Sequence, residues 1–250
     1  MPTWNKRRLL WGLFIVLFVA AALPCIHAWQ QTGKYPDRLW LHRANSLEKW
    51  EEFSALYPNA EIDITVREGA VLDVTHDEPV SFGLCADRYI QALAHNDRRL
   101  WLDIKNLAPP IAHSVMERLD SMLAVAHVER TRLIIESDNA EALAPFKQRG
   151  YYTSYYVRYD NPAHLTPDEL TAALRHLRKV ADSGQVSALS FPIHWYSTLH
   201  HHLQRPNIDL LTWDHHTRQW TFLLLPWKRA LLNDPQVKVI LLKKKGSHHR

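Results

Sequence analysis

Four short pieces of this chain carry residue types that do chemistry together. They are His42-Arg43, Glu61-Ile62-Asp63, His76-Asp77 and Asp103-Ile104-Lys105. Three of them end or lie within apolar runs that read as strands, and His76-Asp77 follows a short turn and the apolar piece Ala70–Val74. In a strand, residues i and i+2 point to the same face. Glu61 and Asp63 therefore share a face, as do Asp103 and Lys105. Three carboxylates gathered on inward faces are costly unless something pairs them. A hard divalent cation with oxygen ligands, Mg²⁺ or Ca²⁺, does so. Lys105 adds a point charge suited to a phosphate. His42 and His76 form an acid/base pair, one taking a proton from an attacking hydroxyl and the other giving one to a leaving oxygen. Taken singly, each piece reads as an ordinary half-exposed strand or a surface ion pair. Their combination on three successive strands points to metal-assisted acid/base chemistry on a phosphoryl group.

The elements that must position these groups follow from the pattern of the rest. Eight apolar runs read as strands: Leu39–His42, Ala60–Val66, Leu100–Lys105, Leu133–Glu136, Tyr152–Val157, Ala188–Ile193, Asp209–Trp213 and Val237–Leu242. They are buried runs rather than strict alternations, as parallel strands covered on both faces should be. Helical stripes fill the gaps. Ser46 caps one helix and Thr166-Pro167-Asp168-Glu169 opens another, while Asn139–Gln148 is a shorter helix closed by Gly150. Strands alternating with helices predict an α/β protein, a closed (β/α)₈ barrel. The competing open sheet would favour phosphate-binding glycine loops. The chain has only 7 glycines and no G-x-G-x-x-G.

The first thirty residues read as an address. Lys6-Arg7-Arg8 precedes an apolar run from Leu9 to Ile26. As a helix the run spans about 27 Å, close to a bilayer core. It is either a signal anchor or a signal peptide cut near Ile26-His27-Ala28, with Pro24 breaking the helix just before. In the first case the barrel, residues 31–250, is held on the outer (periplasmic or extracytoplasmic) side of a membrane. In the second it is secreted. The 2 cysteines, Cys25 and Cys85, make no disulfide framework. Net charge is +4 with a sequence pI near 9.0, and part of that charge sits at the two ends. No basic stripe follows the fold, which argues against nucleic acid as partner.

The runs Leu41-His42-Arg43, Ala60–Val66, Val74-Thr75-His76-Asp77 and Leu100–Lys105 resemble the glycerophosphodiester phosphodiesterase superfamily. The motifs cover residues 39–105. That resemblance implies a (β/α)₈ barrel with Mg²⁺ or Ca²⁺, and a small-molecule or lipid phosphodiester as the partner. It makes His42 and His76 the acid/base pair, Glu61, Asp63 and Asp103 the metal ligands, and Arg43 and Lys105 the phosphate contacts. The Asp-x-Lys strand is similar to the sphingomyelinase D branch, and His42, Asn45 and Ser46 are similar to a menorin-like start. Ala44 replaces the family's usual glycine after His-Arg. Two other readings compete. One is a non-catalytic barrel binding a phosphorylated lipid or glycan at a membrane surface. The other is a polysaccharide hydrolase, but two carboxylates on one strand suit a metal better than acid and base on opposite sides of a sugar. In the second half, Glu136, His194-Trp195-Tyr196 and Trp213-Asp214-His215-His216 follow strands and are candidates for the mouth, while His200-His201-His202 sits on a helix and makes no metal site.

Overall fold

The computed structural model describes residues 4–32, 37–203, 208–214, 221 and 225–246. Eight parallel strands close into a barrel. They are β1 (Leu39–His42), β2 (Ala60–Arg67), β4 (Leu100–Ile104), β5 (Leu133–Ser137), β6 (Tyr152–Tyr156), β7 (Ala188–Pro192), β8 (Asp209–Asp214) and β9 (Val237–Lys243). Closure comes at β1, which pairs with β9 from Leu39↔Ile240 to His42↔Lys243 and with β2 at Leu41↔Ala60. The open-sheet alternative is thereby excluded. A ninth strand, β3 (Val71–Val74), folds back antiparallel on β2.

The pleat sorts side chains between two cores. Leu102, Ile104, Ile62 and Ile135 face the helices and join the large strand–helix core. Trp40, Trp101, Ile134, Leu211 and Val239 form a separate cluster inside the barrel. That cluster is a solid floor, as a barrel of eight strands requires. The inward residues one step further along the strands are Asp63, Asp103 and Glu136, and they begin the mouth.

Helices α2 (Leu47–Phe53), α3 (Ala86–Leu93), α4 (Pro109–Ala126), α5 (Ala140–Gln148), α6 (Pro167–Asp182), α7 (Tyr196–His202) and α8 (Pro226–Asn233) occupy the crossovers. Their predicted signals hold. Thr166 and Glu169 form a capping box, Asn139 caps α5, and Ser46 accepts from the Lys49 backbone N–H at 3.1 Å. The Ser46 cap bears on the site, because α2 carries Lys49. Ser46→Ala should lower stability by about 1 kcal/mol, read as a shift of the urea midpoint with an unchanged slope.

The leader is helical from Trp4 to Thr32 (α1). The helix runs through Pro24 rather than breaking before it. A proline removes one helical hydrogen bond and bends the axis, and a helix this long can absorb the loss. Its side chains are described at Arg8 and residues 10–23, where large apolar groups such as Trp11 and Phe14 are exposed. Among the described residues, no helix is long and apolar enough to cross a membrane.

Candidate active site

Every predicted site residue reaches one cavity of about 110 Å³ at the carboxyl ends of the strands, lined by His42, Arg43, Glu61, Asp63, His76, Asp103, Lys105, Glu136, Tyr156, Trp213 and Leu241. Parallel register explains the convergence. Asp63 lies opposite Asp103, and Asp103 opposite Glu136, so neighbouring strands deliver carboxylates at one height. Glu61, Asp63 and Asp103 each offer an oxygen, and these oxygens lie within 4.8 Å of one another. No other group of metal-ligating side chains gathers like this among the described residues.

The turn after β1 is fixed from every side. Arg43 has φ 52°, a left-handed conformation that costs a bulky residue energy. Its backbone N–H donates to Glu61 Oε2 at 2.7 Å, and the Ala44 N–H donates to the Glu61 carbonyl at 2.8 Å. Lys49, fully buried, donates Nζ hydrogens to the carbonyls of Arg43 (2.5 Å) and His42 (3.3 Å). Tyr89 Oη donates to the Ala44 carbonyl at 2.6 Å. Asn45 donates to Asp63 Oδ2 at 2.8 Å and accepts the Asp63 backbone N–H at 3.0 Å. Ala44 is completely buried, so its methyl group is part of the packing under this turn.

Both histidines face this frame. His42 Nε2 stands 3.7 Å from Glu61 Oε2 inside the barrel. His76 arrives on the loop after β3. The Arg43 guanidinium donates to His76 Nε2 at 2.8 Å. Nε2 is then the acceptor, so Nδ1 carries the proton and donates to Asp77 Oδ1 at 2.7 Å. The hairpin β2–β3 thus brings His76 to the cavity that Glu61, Asp63 and Asp103 line. At its turn end Arg67 bonds Asp73 at 3.0 Å and the Val80 carbonyl at 2.7 Å, tying the hairpin to the chain beyond His76.

Lys105, read as a phosphate contact, is engaged with carboxylates. Its Nζ pairs with Asp63 Oδ1 at 2.7 Å and with Asp103 Oδ2. The electrostatics follow. Burial, with Asp63 and Asp103 adding like charge, pushes Glu61 well above the usual carboxylate range. Burial also raises Asp103, more than Lys105 can offset. Burial would raise Asp63 too, but Lys105, Asn45 and Arg43 hold it below its ordinary value. Lys105 loses from burial and gains more from the three acids, so its pKa rises. Burial brings Lys49 down to about 8. These carboxyls cannot all be charged together without further positive charge. The donor set therefore fits a hard divalent cation.

Sequence reasoning left three residues out or undecided. Asn45 enters the sequence reading only as part of the menorin-like start, with no site role, and Lys49 carries no signal there. Glu136, which could equally have been at the surface, is 2% exposed and lines the cavity. Trp213 does belong to the mouth, stacked on Tyr156 with ring centroids 5.2 Å apart. His194 lies in an adjoining cavity of about 470 Å³ that also shares Asp103, Lys105 and Tyr156. Trp195 is buried in the strand–helix core. His215 and His216 lie outside the described residues.

No family model and no curated protein matches this chain. Solved structures do. A glycerophosphodiester phosphodiesterase from Parabacteroides distasonis superposes with a TM-score of 0.53 at 15% identity, over 82% of this chain and 92% of that one. What the two chains share is the (β/α)₈ barrel. A phosphodiesterase from Oleispira antarctica, solved in complex with the product sn-glycerol-3-phosphate, gives 0.53 at 12% identity over the same shares. The (β/α)₈ architecture expected from the motifs is thus that of known glycerophosphodiester phosphodiesterases.

Proposed function

We propose that this barrel is a phosphoric diester hydrolase that cleaves a small glycerophosphodiester or a phospholipid head group with the help of Mg²⁺ or Ca²⁺. The observation that carries the reading is the meeting of His42, His76, Arg43, Lys105 and three carboxylates in one cavity, on a barrel with the fold of glycerophosphodiester phosphodiesterases.

Glu61, Asp63 and Asp103 would hold the cation. When bound, it supplies Lewis-acid stabilisation of charge on a phosphoryl oxygen. Arg43 would bind an oxygen of the phosphate, and Lys105, between Asp63 and Asp103, would add positive charge beside it. His42 and His76 both line the cavity, and they supply the general base and the general acid. Asp77 keeps the proton of neutral His76 on Nδ1, so Nε2 is the atom that exchanges a proton with the substrate. The floor of tryptophans beneath the site excludes water from below.

The nucleophile is water or a hydroxyl of the substrate next to the phosphate, and the two routes give different phosphorus products. Phosphorus NMR of glycerophosphocholine turned over by the full chain with Ca²⁺ is expected to show the diester signal replaced by a phosphomonoester or by a cyclic phosphate. A diester signal that persists with every small glycerophosphodiester argues against the reading.

The basic flank Lys6-Arg7-Arg8 and the apolar run that follows support placing the barrel on the outer side of a membrane, anchored or released.

A further inference from the structure

The proposed site uses three carboxylates, and a fourth stands beside them with no assigned work. Glu136 is in register with Asp103 across the β4–β5 pair, in the layer that also holds Asp63. It is 2% exposed, and its Oε2 accepts no hydrogen bond. Ser154, in register with Glu136 on β6, is also buried, and its hydroxyl has no partner. Glu136 lines the same cavity as Glu61, Asp63 and Asp103.

As placed, the residue is a liability. An ionised carboxylate in this position is desolvated, faces the like charge of Asp103, and lacks a hydrogen bond on one oxygen. A neutral residue of the same shape would be better tolerated by the empty barrel. Lys105 is already shared between Asp63 and Asp103. A cation entering the cavity removes the conflict, because it brings the charge that Glu136 lacks.

We infer that Glu136 is a fourth carboxylate of the cation site and that it tilts the site towards Ca²⁺ over Mg²⁺; the inference rests on the proposed cation-dependent function. Glu136 stands outside the compact set of three oxygens found within 4.8 Å. A longer reach and a higher ligand count suit Ca²⁺, which takes six to eight oxygens in loose geometry. Mg²⁺ demands a tighter octahedron and keeps several waters, so it gains less from the extra carboxylate.

Calorimetric titration of the full chain with CaCl₂ and with MgCl₂ tests this. The variants are Glu136→Gln, Glu136→Asp and Glu61→Gln, with Glu117→Gln on the exposed face of α4 as control. Glu136→Gln is expected to weaken Ca²⁺ binding by about 10–100-fold and Mg²⁺ binding by less. Glu136→Asp, which keeps the charge, should recover part of the loss. The cation-free Glu136→Gln protein should unfold at the wild-type temperature or above, since it no longer buries that charge. Ca²⁺ affinity unchanged in Glu136→Gln, or lost equally with Mg²⁺, overturns the inference. If Glu61→Gln then still abolishes binding, the three-carboxylate site stands without Glu136. If the wild-type chain binds neither cation, the underlying reading falls as well.

Discussion

Replacing His42 or His76 with alanine is expected to lower phosphodiester turnover by about 10²–10⁴-fold, with the circular dichroism spectrum unchanged. The two residues should fail in different ways. His76 is half exposed on its loop, and removing it leaves the barrel core intact. His76→Ala should therefore leave the unfolding midpoint at the wild-type value. His42 is 6% exposed, and its removal opens a small space above the floor of tryptophans. A modest loss of stability should accompany that variant. Because the imidazoles act on one reaction, the double variant should be little worse than either single one. Steady-state kinetics with one substrate, at saturating cation, measures all three. Wild-type turnover in either single variant contradicts the acid/base assignment.

Glu61→Gln should be as damaging to activity, for a different reason. The amide can still accept the Arg43 backbone N–H through its oxygen, so the turn after β1 survives. What is lost is the negative charge that holds the cation. Turnover should fall by more than about 10²-fold, and added Ca²⁺ or Mg²⁺ should no longer raise the unfolding temperature. The cation-free variant should be at least as stable as the wild-type protein, because a buried carboxylate among like charges has been neutralised. The pH dependence has a definite sign. Burial and neighbouring acids raise Glu61 and Asp103 in the folded, cation-free state. The folded state then binds protons more tightly than the unfolded one. These two groups make cation-free stability fall as pH rises above the ordinary carboxylate range. Protons and cation compete for the same oxygens, so apparent cation affinity should fall as pH is lowered. Thermal unfolding across pH, with and without Ca²⁺, checks both statements.

Much of this site was legible because strand geometry is regular. A period of two puts Glu61 with Asp63 and Asp103 with Lys105, whatever the rest of the chain does. The strand boundaries were legible to within a residue, since each apolar run is bounded by polar or helix-starting residues. The closing pair between β1 and β9 joins Leu39 to Ile240, and no local pattern announces a contact that distant. The role of Asn45 was hidden for a related reason. It works by bonding Asp63 on the next strand, and only the assembled barrel brings the two together. Lys49 has no local signal of its own, and only the packed α2 aims it at two carbonyls of the β1 turn. A lone glutamate at a strand end, Glu136, carries no sequence signal that separates mouth from surface. Pro24 misled through a true local rule, because proline weakens a helix without always ending it. Lys105 was legible as a cation of the mouth, but its pairing with Asp63 on the neighbouring strand needed the assembled barrel.

The most direct test of the central claim is hydrolysis by the full chain of glycerophosphocholine, glycerophosphoethanolamine, lysophosphatidylcholine and bis-p-nitrophenyl phosphate, each with Mg²⁺, Ca²⁺ or EDTA. The account predicts release of alcohol from at least one diester in the presence of a cation and none in EDTA. Turnover that survives chelation, or no turnover by folded protein shown to have bound its cation, would contradict it.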